Sequence, residues 1–170
     1  MSYTRFGIMV AASTVIMFGL MYLNTYQMDH VFFSQTRMWM ALLMGAVMAF
    51  IMLLFMWKMY ANRTADFAIL GASMLVFAAW LWLVRSQETV SDVAWMKAMI
   101  PHHSIAVLTS TQAHIRDPRV RKLADGIIEA QVREIGEMKQ LITDLEHALP
   151  VSSSPDLPPL DPATAPAQTQ

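Results

Sequence analysis

Four side chains able to hold a soft metal fall within eight residues of this chain: Met96, Met99, His102 and His103, in the run Met-Lys-Ala-Met-Ile-Pro-His-His. Two are thioethers and two are imidazoles, a set that suits copper better than the other common biological metals. Thioethers alone do not mark a metal site, because methionine also fills gaps in apolar cores. The paired histidines are what give the run chemical meaning. On a helix Met96, Met99 and His103 stand at i, i+3 and i+7 and share a face, whereas His102 points roughly 100° away from His103. Pro101 removes the amide bond to the Lys97 carbonyl and tends to kink a helix, which gives His102 a route toward that face.

A second group lies downstream. Val120, Leu123, Ile127, Leu141 and Leu145 define an apolar face at helical spacing, and Gln131, Glu134 and Met138 fall within roughly 40° of its centre. Burying an unpaired carboxylate and amide costs several kcal/mol, roughly, so the facing helix should satisfy them. If the two helices form an antiparallel hairpin, Met96 and Met99 come level with Glu134 and Met138, and His103 lies nearer Gln131. The surfaces then meet as Met, Met, His against Gln, Glu, Met, which can bind copper. They can equally form a small apolar core in which His103 hydrogen-bonds Glu134. A di-iron carboxylate site is disfavoured, because no inward Glu-x-x-His pair is present. Asp144-x-x-His147 is the nearest approach, at an end of the hairpin where solvation is the simpler account.

The elements that must position these groups are helical throughout, so the chain is expected to be all-α. Asp117-Pro118 reads as an N-cap followed by proline at the first helical position, opening the second hairpin helix. Thr89 with Asp92 resembles a capping box opening the first. The hairpin is expected over residues 86–149, with a short connection at about His114 to Asp117. From Pro150 to residue 170 the composition of Pro, Ser, Ala and Asp predicts a disordered tail.

Residues 1–85 form a membrane domain by composition. The chain is 55% hydrophobic and 15% charged, and three uncharged stretches hold much of the excess: about 6–23, 38–57 and 67–84. Each has the roughly 18–20 residues needed to cross a hydrocarbon core, with aromatic residues near the ends. The first reads as an uncleaved span, because no small-x-small cleavage site precedes Asn24. Placing the N-terminus in the cytoplasm puts Arg5, Lys58 and Arg63 inside, and three spans then put the hairpin outside, in the periplasm of a bacterium. The second span carries Met40, Met44, Met48, Met52 and Met56. This stripe could pass Cu(I) through the membrane, but adaptable helix packing is favoured, since no ionisable residue marks a pathway. Met28, Asp29 and His30 lie on the hairpin side, as added ligands or, preferably, as a helix-end cap.

The near-balanced charge of −1 gives no sign of nucleic-acid binding, and the absence of cysteine rules out thiolate ligation. No phosphate loop, zinc-finger spacing or activated nucleophile points to an enzyme. Three spans are few for a transporter.

Met99-Ile100-Pro101-His102-His103, with Asp92 and Met96 before it and Gln131-x-x-Glu134-Ile135-x-x-Met138 after it, resembles the family called domain of unknown function 305. The resemblance covers about Ser91 to Leu145. It extends to membrane-anchored members in Met21-Tyr22-Leu23-Asn24-Thr25-Tyr26 and Ser34-Gln35-Thr36-Arg37. It implies a ferritin-like helical bundle, periplasmic copper binding linked to tolerance, and Met96, Met99, His102, His103 and Met138 as ligands. Glu134 and Gln131 are implied as ligands or as their hydrogen-bond partners. Where the family often has Gln after the paired histidines this chain has Ser104, and larger members carry two hairpins where this chain has one. A lone hairpin cannot bury its apolar face. Either a second chain completes a four-helix bundle, making a homo-oligomer, or the hairpin docks onto the membrane helices. The rival expectation is a helical interaction module on a membrane anchor that binds no metal.

Overall fold

Residues 2–147 and 157–160 are described by a computed structural model, and the described residues contain helices and no strand. The tail expected from Pro150 lies outside them except for 157–160, which have no regular structure. Five α-helices follow in order: α1 (Tyr3–Leu20), α2 (Gln35–Phe55), α3 (Arg63–Ser86), α4 (Asp92–Gln112) and α5 (Pro118–His147). Short 3-10 turns at Met28–His30 and Trp57–Met59 sit in the first two connections.

The first three helices are long and apolar enough to cross a membrane. Their bounds differ by a few residues from those expected, because polar caps outside each apolar run decide where a helix begins. Ser2, Ser34 and Asn62 each accept a backbone N–H of the first turn, from Thr4, Arg37 and Ala65 at 3.2 Å each. The third helix therefore takes in Arg63, Asp66 and Arg85, which the apolar run alone left outside. It stops at Gln87, whose φ of 55° is left-handed and closes the helix through its N–H on the Leu83 carbonyl.

Helix α2 is central, packing on both α1 and α3. Trp39 stacks on Trp80 of α3, ring centroids 4.9 Å apart. Where α1 begins, the Tyr3 hydroxyl donates to the fully buried Asp66 of α3 at 2.9 Å, and Arg63 pairs with the same carboxylate at 3.1 Å. Elsewhere a groove of about 600 Å³ lies between α1 and α3, over Gly45, Ala46 and Ala49 of α2. Contact with α2 therefore carries most of the attachment of α1. A β-carbon at Gly45 would collide with the Thr14 hydroxyl, which donates to the Val10 carbonyl at 2.8 Å. Gly45→Val is expected to lower the stability of the detergent-solubilised protein by about 1–3 kcal/mol, read by thermal or denaturant unfolding. Unchanged stability would mean that α1 does not rely on this approach.

Of the methionine stripe on α2, Met40 is exposed and the other four are half-buried. Met52 and Met56 pack beside Phe6, Leu53 and Tyr60. This placement is that of packing side chains.

Helices α4 and α5 lie antiparallel. Lys97 near the start of α4 pairs with Glu146 near the end of α5 at 2.6 Å, and Arg121 near the start of α5 donates to the Ser110 carbonyl at 3.0 Å. The cap at Asp117 forms as the sequence suggests, its carboxylate accepting from the Arg119 amide at 2.8 Å. The capping box at Thr89 does not open α4. Ser91 does so, accepting from Ala94 at 3.4 Å.

The buried face of α5 differs from the one expected. Ala124, Ile135, Met138 and Ile142 are buried, while Val120, Leu123, Ile127, Leu141 and Leu145 are exposed. The helix carries two adjacent apolar seams. The sequence pattern picks out the larger side chains, but α4 is a single cylinder and covers only the other seam.

Candidate metal centre and its surroundings

Along the α4–α5 interface, Met96, Ile100, Ile135, Met138 and Ile142 form a buried cluster, with Val93, Met99 and Phe32 packed against it. Met96 and Met138 are 4% and 7% exposed, so both thioethers lie inside the hairpin. His103 sits one turn beyond Met99. Its Nδ1 lies 3.0 Å from the Met99 carbonyl and its Nε2 lies 2.8 Å from Glu134 Oε2.

This geometry has a chemical consequence. Nδ1–H donated to a backbone carbonyl fixes the ring's rotation and leaves Nε2 as the outward-facing atom. Metal-binding histidines are held in this way, with the non-ligating nitrogen donating to a carbonyl or carboxylate. Here Nε2 faces a carboxylate oxygen, with only a bridging proton between two groups that could both bind a cation. The His103 side chain is 12% exposed and that of Glu134 is 40% exposed, so the pair sits at the edge of the hairpin, reachable from solvent.

The structure thus gathers Met96, Met99 and Met138 in one cluster and pairs His103 with Glu134 one turn along from Met99 and Met138. His102 is separate: it is exposed, and its ring lies 6.1 Å from that of His103. Pro101 is accommodated inside a continuous α4 and does not swing His102 inward. Gln131 is half-buried one turn before Glu134. His103 meets Glu134, the contact expected of the small apolar core, whereas the metal alignment sets it nearer Gln131, about one turn away. The connection accounts for this: α4 ends at Gln112 and Ala113 is extended. Among the described residues no three His, Cys, Asp or Glu side chains converge, so a metal held here would draw on the thioethers to complete its shell.

The other side of the hairpin is not free. The segment joining α1 to α2 lies against it, centred on Ser104, which is fully buried. The Tyr26 amide donates to Ser104 Oγ at 2.7 Å, and His30 Nδ1 is 3.0 Å from the same oxygen. Lys139 of α5 pairs with Asp29 at 2.6 Å, and Phe32 reaches the methionine cluster. Asp29 and His30 therefore do more than cap a helix: they dock the hairpin onto the segment joining α1 to α2. The Lys139 ammonium holds the Asp29 carboxyl below its usual range. Burial pushes the His30 imidazole down, against the opposing pull of Asp29.

Residues 81–159 match the family described as domain of unknown function (DUF305). The match begins within the last turns of α3 and takes in both hairpin helices. Over 66 residues the chain is 35% identical to an uncharacterized protein of Acanthamoeba polyphaga mimivirus, an alignment covering 38% of this chain and 43% of that protein. The chain thus spans less than half the length of that relative. No solved structure matches the chain.

Proposed function

We propose that the chain is a membrane-anchored copper-binding protein that sequesters copper or hands it on, in a bacterial inner membrane with the hairpin on the periplasmic side. The observation that carries this reading is the anchored ring of His103. Its Nε2 is aimed at Glu134, and the two residues stand one helical turn from Met99 and Met138 of the buried methionine cluster. Imidazole with thioethers is a donor set that selects copper, Cu(I) where sulfur dominates and Cu(II) where His103 and Glu134 do. Binding, and not catalysis, is the role. The docking of the α1–α2 segment onto the hairpin supports placing both on one side of the membrane, as three crossings require.

The exposed seam of α5 supports a second element of the proposal. Val120, Leu123, Ile127, Leu141 and Leu145 lie on the same side of α5 as Glu134, uncovered by α4. A hairpin from a second chain laid there would complete a ferritin-like four-helix bundle and cover the metal pair. The same seam also favours the rival reading, an assembly module in which His103 and Glu134 only tie two helices together.

Titration of the full-length protein in detergent separates the two readings. The wild type should bind copper, and Met99→Ala with His103→Ala should reduce the affinity by at least about tenfold, or 1.4 kcal/mol. Equal binding by both, with the hairpin still helical, overturns the metal assignment and leaves the assembly module.

A further inference from the structure

The exposed seam of α5 is spaced symmetrically about one residue. Ile127 and Leu141 stand seven residues to either side of Glu134, and Leu123 and Leu145 stand eleven. Those steps are close to two and three helical turns, so all four lie within roughly 20° of Glu134 around the helix. Each of the four is exposed, and the Glu134 side chain at their centre is 40% exposed. A seam that packs on an unrelated helix has no need of such a mirror. Two copies of one helix, antiparallel across a two-fold axis, do need it. The axis brings each residue level with the one equally far on the other side of the centre. Ile127 then packs on Leu141 of the second chain and Leu123 on its Leu145, and the centre receives one carboxylate from each chain.

A carboxylate is an unexpected residue for that centre. Two glutamates brought together repel, and taking them out of water adds to the cost. A cation between them offsets both. His103 is placed to share it, since its Nδ1 is tied to the Met99 carbonyl and its Nε2 is aimed at Glu134. One chain supplies only this pair, and among the described residues no third His, Cys, Asp or Glu joins it.

We propose that two copies of the chain share one Cu(II) site on the two-fold axis of an antiparallel α5–α5 pair, each giving His103 Nε2 and Glu134. Two imidazoles and two carboxylates make the nitrogen and oxygen set that suits Cu(II) in tetragonal geometry. Met99 and Met138, one turn along in each chain, remain as softer donors for the reduced ion. The shared site rests on the copper reading above and adds to it a stoichiometry and an oxidation state. It also links binding to association, because an ion held by both chains stabilises the dimer.

Full-length protein in detergent is titrated with Cu(II) and no reductant, while sedimentation follows its mass. The wild type should take up one tightly bound ion per two chains and shift toward the dimer as it does so. Leu123→Gln with Leu141→Gln touches no donor, at side chains 65% and 50% exposed, and should leave the helix content of a single chain unchanged. It should still weaken the dimer and lower Cu(II) affinity at least about tenfold. Glu134→Gln removes the repelling charges and one donor per chain, so any dimer it forms should not depend on Cu(II). One tight ion per chain, uptake with no change in mass, or unchanged affinity in the seam variant overturns the shared site and leaves a single-chain copper site standing. No copper uptake in either oxidation state overturns the copper reading beneath it as well.

Discussion

Replacing Met96 and Met138 together by leucine is expected to lower copper affinity at least about tenfold while leaving helix content nearly unchanged. Leucine and methionine have similar volume, and such exchanges in a core cost less than about 1.5 kcal/mol each. Both side chains are buried in one cluster with Ile100, Ile135 and Ile142, so the substitution removes sulfur and little else. If the thioethers serve only as core, the double variant should bind copper as the wild type does. If they complete the shell begun by His103 and Glu134, affinity falls and the remaining site becomes harder, shifting its preference from Cu(I) toward Cu(II). His102→Ala is the control. Its ring is exposed, with its centroid 6.1 Å from that of His103, so its loss should change affinity less than about threefold, under 1 kcal/mol. A large loss at His102 with none at Met96 and Met138 would place the metal on the outer surface of α4. The readout is a copper titration of full-length protein, paired with far-ultraviolet circular dichroism.

The sequence carried the three apolar helices and the cap at Asp117 plainly, because each rests on local chemistry: length, polarity and a side chain reaching its own backbone. The meeting of His103 with Glu134 depends on how α4 ends, and one extended residue at Ala113 moves the register by a turn. The covered seam of α5 was less legible still. Hydrophobicity says that a face wants a partner, but not which of two adjacent faces a single neighbouring helix will take. The docking through Ser104, His30 and Lys139 joins residues more than seventy positions apart, and no periodicity encodes it. The structure shows the Ser104 hydroxyl receiving the backbone amide of another segment, at Tyr26. Pro101 shows the reverse. Its tendency to kink is real, but burial within a continuous helix decides the outcome, and His102 stays outward.

Ile100→Ala is expected to unfold the hairpin while leaving the three apolar helices in place. Ile100 is fully buried and touches the cluster from which both α4 and α5 take their packing. Truncating such a side chain costs about 2–5 kcal/mol. A two-helix unit with five residues in its buried cluster has little reserve to absorb that loss. Amide hydrogen exchange should show α4 and α5 losing protection, with α2 and α3, packed on each other, keeping theirs. Copper affinity should fall by the same factor as the folded fraction, because His103 of α4 and Glu134 of α5 come within 2.8 Å only when the two helices are packed together. Ile100→Val removes one methylene and should cost about 0.5–1.5 kcal/mol, leaving the hairpin folded and the metal pair intact. Leu123→Ala, at a side chain 65% exposed, supplies the contrast. In a single chain it should cost under about 0.5 kcal/mol. Where a second hairpin covers the seam it should weaken self-association, read by sedimentation of the detergent-solubilised protein. A stability loss at Leu123 that does not depend on protein concentration would mean that this seam is covered within one chain, and the two-chain bundle would fail.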